Sequence, residues 1–270
     1  MENISVRRLA ISLCSLVFLL GAFSDCQRKT ETAAAPSSPT PSPAASRAAN
    51  AVASPSFTGP ITPALVKQEA GSITQYLHYP KDPDVAKLEG AVQFYCDVTE
   101  TGAVESTQAL VGTNDAFKAA VQIALDWGRF TPATVNGQPV PVYLGGTVLF
   151  LHQHNEEVIV VSLATHDRDR VRKFENYIQP QLIGGLRHLM EQAMSSLTQD
   201  IPDGGRAEVV VSVNDKGAVT GTSGISESPK DSGLGALLEG AVKKAQFTPA
   251  YENGKPAAGG IDVVADFGQF

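Results

Sequence analysis

Few residues of this sequence combine the type and the spacing that chemistry needs. His152 and His154 lie two apart near the end of a β-prone run. That spacing puts both side chains on one face of a strand, where they could hold a metal ion with Glu156 and Glu157 as further ligands. Two ligands do not make a site, and a solvent-facing pair is the simpler reading. His166-Asp167 is similarly ambiguous. There is no Gly-x-Ser-x-Gly and no zinc-type cysteine spacing, and Gly184-Gly185 lacks the Lys-Ser/Thr that completes a phosphate loop. The residues point to no catalytic group, no metal and no cofactor, so the function is sought in binding.

The cysteines add little. Cys14 lies inside an apolar run, which leaves Cys26 and Cys96; these could pair in an oxidising compartment. Cys96 alternates with polar residues in a strand, and its simpler role is that of a small buried hydrophobe. A formal net charge of −7 argues against nucleic acid, whose phosphates need clustered positive charge. The basic run Arg168, Arg170, Arg172 and Lys173 is interleaved with Asp167, Asp169 and Glu175 and reads as a solvated helix face.

The elements that could position a binding site follow an N-terminal preamble. Arg7 and Arg8 precede an apolar run from Leu9 to Phe23. The run is shorter than the ~20 residues of a membrane span and suits a secretory signal over residues 1–25. Ala22-Phe23-Ser24 offers a cleavage site, Cys26 a lipidation site, and an uncleaved anchor is a third outcome. The polar and small residues after Cys26 favour lipid attachment. Residues 26–62, rich in Ala, Pro, Ser and Thr, cannot bury a core and are expected to form a disordered tether. Over residues 30–60 its extended reach is on the order of 90 Å.

An internal repeat dominates the remainder. Phe130-Thr131-Pro132-Ala133 recurs as Phe247-Thr248-Pro249-Ala250, and Asn136-Gly137-Gln138-Pro139 recurs as Asn253-Gly254-Lys255-Pro256. Gly102-Ala103-Val104 recurs as Gly217-Ala218-Val219. In the first copy Val92, Phe94, Cys96 and Val98 alternate with polar residues, which predicts a half-buried strand, and Thr101-Gly102 turns it into a second. Phe117, Ala120, Val121, Ala124 and Leu125 then form one helical stripe, capped by Thr113, Asn114 or Asp115. The second copy repeats this with Val209, Val211 and Val213, then Leu234, Leu237, Leu238, Ala241 and Val242. Each copy closes with a strand, Val140 to Leu151 and Ile261 to Phe267. The order predicts an α+β fold of two small antiparallel sheets, each with a packed helix, in domains 63–154 and 155–270. Between the copies, Val158 to Ala164 reads as a strand, Asp167 to Tyr177 as a polar helix, and Leu186 to Leu197 as a helix packed on the second sheet.

Tyr79-Pro80, Leu88-Glu89-Gly90 before the first strand, the Gly-x-Val turn, Arg129-Phe130-x-Pro132-Ala133 and the Asn-Gly-x-Pro turn follow one another along the chain. In these motifs and their order the chain resembles the TonB C-terminal domain family. The resemblance covers residues 77–151 well and 205–270 more weakly, since the second copy lacks the Arg before Phe247 and the Tyr-Pro opening. Apolar segment, Pro-rich tether and terminal domain also follow the plan of an energy-transducing TonB protein. The departures are specific. No histidine precedes His78, whereas transducers carry one in the membrane helix; the family's Trp position before Phe130 is Gly128, with Trp127 one place earlier; and Asp84 stands where several transducers have Gln.

The resemblance implies a domain that works by binding: an exposed final strand takes up an extended peptide as an additional strand. The partner-binding residues it implies are Val142, Tyr143, Leu144, Gly145 and Thr147 in the first copy, Ile261 and Val263 in the second, and Asp84. The competing reading is that these edges are already occupied by the other copy or by the strand near Val160. The chain is thus read as a non-catalytic, periplasmic envelope protein, lipid-anchored or otherwise tethered, that binds a peptide or protein partner. A transducer acting on outer-membrane receptors, and an adaptor with both copies packed together, are the alternatives.

Overall fold

A computed structural model describes residues 60–165, 168–173, 175–195 and 204–270. The signal segment, Cys26, nearly all of the tether, His166-Asp167 and Leu197 lie outside the described residues.

The chain enters as two short strands, β1 (Ile61–Thr62) and β2 (Leu65–Val66), and a one-turn helix, α1 (Ile73–Tyr76). Then come β3 (Gly90–Val98), β4 (Val104–Gly112) and α2 (Asp115–Trp127), followed by β5 (Phe130–Thr131), β6 (Ala133–Val135), β7 (Gln138–Val140) and β8 (Val142–Gln153). Gly102 makes the β3–β4 turn at φ +81°, and a Cβ there would sit 2.0 Å from the Phe130 carbonyl oxygen. Only glycine tolerates both the left-handed backbone and that approach. The Asn114 side chain caps α2 by accepting from the Ala116 N–H at 2.8 Å, as one of the three anticipated caps. The stripe Phe117, Val121, Ala124 and Leu125 packs on Val92, Phe94, Cys96 and Val98 of β3 and on Val142, Leu144, Val148 and Phe150 of β8.

A second set follows the same order. After β9 (Glu156–Ser162) and the short α3 (Arg168–Arg172) come β10 (Tyr177–Ile178), β11 (Leu182–Ile183) and α4 (Leu186–Ser195). The set then runs β12 (Arg206–Val213), β13 (Val219–Ser228), α5 (Leu234–Val242), β14 (Ala250–Glu252), β15 (Lys255–Ala257) and β16 (Gly259–Asp266). The polar helix expected up to Tyr177 is shorter than that, because Tyr177 and Ile178 pair with Glu252 and Tyr251. The architecture is α+β, with several small antiparallel sheets and few helices.

The connecting segment shares backbone geometry with the start of the first set. β1 pairs with β6 just after Phe130-Thr131-Pro132, and β10 pairs with β14 just after Phe247-Thr248-Pro249. Asn136 donates its N–H to the Pro60 carbonyl, and Asn253 donates to that of Asn176. Side chains tie the segment across the molecule. The Gln181 amide accepts from Ala64 N–H at 2.7 Å and donates to the Ala64 carbonyl at 2.9 Å. The hydroxyl of Tyr251 donates to the Ile61 carbonyl.

All described residues fall within one compact unit, and the faces of β3 show why. Its even-numbered residues face α2, as the alternation required. Its odd-numbered Tyr95 and Asp97 are buried as well, at 3% and 2% exposure, so the strand is not half-buried. Tyr95, Ala109 and Tyr143 share one apolar cluster with Leu186 and Met190 of α4, Val209 of β12 and Val264 of β16. The second face of the first sheet is therefore the floor on which the second half of the chain sits.

Candidate functional site

The implied site was the outward edge of each final strand. β8 carries β3 on one side in a continuous register from Val142↔Val98 to Phe150↔Gly90. On its other side Val142 and Tyr143 pair with Ile183 and Leu182 of β11, and Thr147 to Gln153 pair with Ser162 to Glu156 of β9. Between these two strands, a Cβ on Gly145 would lie 2.6 Å from the Gln179 amide nitrogen, and one on Gly146 would lie 2.8 Å from the Ser162 carbonyl oxygen. Val142, Tyr143 and Leu144 are fully buried, and Thr147 is 5% exposed. The edge anticipated as open is an inner one in this structure. The cause is local: β8 and β9 join through the two-residue turn His154-Asn155, both at positive φ (52° and 65°), which is the tight hairpin geometry that closes at little entropic cost.

In the second half β16 pairs with β12 alone, so by strand order it is an edge. Side chains of the first half cover that edge. The Tyr143 hydroxyl accepts from Val264 N–H at 2.8 Å and donates to the Val264 carbonyl at 3.2 Å. Two residues along, Gln108 Oε1 accepts from Asp266 N–H at 3.2 Å; two residues back, the Tyr95 hydroxyl lies 3.5 Å from the Asp262 carboxylate. Ile261 and Val263 are both fully buried. Burial raises the pKa of Tyr143 well above the ordinary value and also raises that of Tyr95, with Asp262 adding to the latter. Both hydroxyls stay protonated at neutral pH and remain donors.

A buried carboxylate fixes the second half from the other side. Asp97, 2% exposed, accepts from the Leu186 N–H at the start of α4 at 2.5 Å, from the Ser106 hydroxyl at 2.8 Å and from the Gln108 amide at 3.1 Å. It caps a helix that lies 89 residues further along the chain. Burial raises its pKa, and the three hydrogen bonds oppose that shift.

Besides β16, three of the longer strands pair with one neighbour only among the described residues: β4, β9 and β13. They differ in character. The register of β4 against β3 is broken twice, and its Thr107 carbonyl accepts from the Gln269 side-chain amide. β13 is polar, and its register breaks beside Gly224, at φ +60°; such a bulge protects an edge from further pairing. β9 is regular and carries Val158, Ile159, Val160 and Val161, all partly exposed. Although this strand follows residue 154, it belongs to the first sheet and not to the second half. The competing reading of the sequence, that the strand near Val160 occupies the edge of the final strand, holds for β8.

The remaining expectations resolve simply. Asp84 is exposed on the turn between Pro80 and Leu88, its N–H held by the Asp82 carboxylate. His152 stays on β8 against the Tyr79 ring, with centroids 5.0 Å apart, while His154 is in the hairpin turn, so the pair shares no strand face. No group of three or more His, Cys, Asp or Glu side chains is placed to hold a metal among the described residues. Cys96 is a free thiol, fully buried in the core against α2. No helix among the described residues is long and apolar enough to cross a membrane. Gly128 ends α2 so close to α1 that a Cβ would lie 2.4 Å from the Ile73 Cα. Trp127 is correspondingly turned outward, 70% exposed.

Residues 75–150 match the family model described as the Gram-negative bacterial TonB protein C-terminal. The match opens within α1, contains β3, β4 and α2, and closes on β8 at Phe150, before β9 begins. No curated protein and no solved structure matches the chain. Over residues 75–150 the chain is thus similar to the TonB C-terminal domain.

Proposed function

We propose that this is a non-catalytic protein of the periplasmic cell envelope whose TonB-like module binds an extended segment of a partner protein, by strand addition along the outer edge of β9. The observation that carries this reading is the contrast between β8, paired on both sides, and β9, an apolar β-branched strand paired on one. Unpaired backbone N–H and C=O groups on a regular edge are a template for another strand. The apolar run Leu9 to Phe23 and the Pro-rich stretch behind Cys26 support export and lipid attachment, with the tether setting the reach of the module.

In this reading the second half is a divergent copy that braces the first. A purely structural adaptor draws support from one observation, the Tyr143 hydroxyl bonded to both backbone groups of Val264. Photo-crosslinking in intact cells separates the two. A probe at Val160 is expected to form adducts with another envelope protein, and a probe at the enclosed Leu144 only with the chain itself. Absence of intermolecular adducts from Val160 would leave the adaptor reading in place.

A further inference from the structure

The open edge of β9 is chemically uneven along its length, and the unevenness describes what would fit it. Its register with β8 assigns each side chain to a face: Ile159 opposes Phe150, and Glu157 opposes His152. Ile159 and Val161 pack towards the α2 core, so Glu157 shares their face, while Glu156, Val158 and Val160 lie on the other. The two glutamates at the start of the strand thus stand on opposite faces of the sheet. Glu89 adds a third carboxylate at this end, accepting from His152 N–H at 2.8 Å. None of the three has an ion-pair partner among the described residues. Glu89 and Glu157 both push the Tyr79 hydroxyl pKa upward, after burial, which places their negative charge at the same corner.

A strand added beside β9 alternates its side chains as β9 does. Two consecutive residues opposite Glu156 and Glu157 point to opposite faces, so each meets one glutamate. The sheet is antiparallel throughout, and antiparallel pairing is slightly more stable per residue than parallel. An antiparallel partner runs from Ser162 towards Glu156 and has its C-terminal end at the acidic corner.

We infer that the partner segment is a run of alternating β-branched residues ending, on its C-terminal side, in two consecutive basic residues that lie beside Glu157 and Glu156. The inference rests on the proposed strand addition at β9 and names the chemistry that selects the partner there. The apolar stretch opposite Val158 to Val161 supplies general affinity, and the basic pair favours one register and direction, since a one-residue slip leaves one cation without a glutamate opposite it.

The test uses the full chain and two amidated peptides, Thr-Val-Thr-Val-Thr-Val-Lys-Arg and the same sequence ending in Glu-Glu. Affinities come from titration at low ionic strength, and hydrogen exchange locates the binding. The basic peptide is expected to bind about 5- to 30-fold more tightly, from two opposite-charge cross-strand pairs against two like-charge ones, and to protect amides within 156–162. The preference should fall towards unity in E156Q/E157Q and with added salt. If both peptides protect 156–162 with equal affinity, the basic-pair inference fails and strand addition stands. If neither protects that strand, the strand-addition reading fails, and this inference falls with it.

Discussion

The hydroxyl of Tyr143 makes hydrogen bonds to both the N–H and the C=O of Val264, at 2.8 and 3.2 Å, and so stands where a neighbouring strand would stand on the edge of β16. One side chain from the final strand of the first half thereby satisfies the backbone of the final strand of the second. The contact is fully buried, and either backbone group left without a partner would carry its whole desolvation cost.

Tyr143→Phe keeps the ring and removes the hydroxyl. It is expected to destabilise the folded chain by about 2–4 kcal/mol, from two buried backbone groups left unsatisfied. Denaturant unfolding gives the figure. A loss below about 0.5 kcal/mol would mean that water reaches Val264 and that the two halves separate easily.

Asp97 makes the corresponding prediction in pH. Its folded-state pKa lies above the ordinary 3.8, because burial outweighs its hydrogen bonds. Folding therefore takes up a proton in the window that opens near the ordinary value and closes at the folded one. Stability falls as pH rises through that window and is level above it. Asp97→Asn is expected to remove this slope while still accepting from Leu186 N–H. Asp97→Ala is expected to cost about 1–3 kcal/mol at neutral pH by uncapping α4. Unfolding curves of the three proteins from acid to neutral pH check both statements. An unchanged slope in Asp97→Asn would assign the pH dependence elsewhere.

Gly128 tests the packing of α1 on α2. Its φ of −85° suits any residue, so its need for glycine is spatial, set by the Ile73 Cα and the Ala124 carbonyl oxygen. Gly128→Ala is expected to cost about 1–3 kcal/mol through displacement of α1. A neutral result would show that α1 moves aside freely. The single Trp of the chain, one place before Gly128, is 70% exposed, and its fluorescence should be quenched by acrylamide in the folded state nearly as well as in the unfolded one.

The sequence announced those parts of the fold whose side chains do the packing. Phe130 and Phe247, each opening a Phe-Thr-Pro-Ala run, are both 1% exposed, and the helical stripes of α2 and α5 lie where the 3.6-residue spacing put them. Backbone-mediated pairing was not legible. Ile61–Thr62 and Tyr177–Ile178 play corresponding roles with dissimilar residues, because short edge strands contribute hydrogen bonds and few side-chain contacts. Tyr95 and Asp97 misled for another reason. Their polar types suggested a solvated face of β3, whereas each buries its polar group against a partner in the second half: Tyr95 the Asp262 carboxylate, Asp97 the start of α4. The candidate site shifted by one strand because the competing reading, with the strand near Val160 on the β8 edge, is the one that holds; the turn that lays it there, His154-Asn155, lacks the glycine that usually advertises a hairpin.

The central claim is that both final strands are closed and β9 is open, and residue-resolved hydrogen exchange on the full chain tests it most directly. The account predicts slow exchange at Tyr143, at Thr147 and at Val264, with fast exchange at alternate amides of Val158 to Ser162, whose N–H groups face outward. Fast exchange along Val142 to Thr147 together with uniform protection of β9 would contradict it, and would return the acceptor edge to the final strand of the first half.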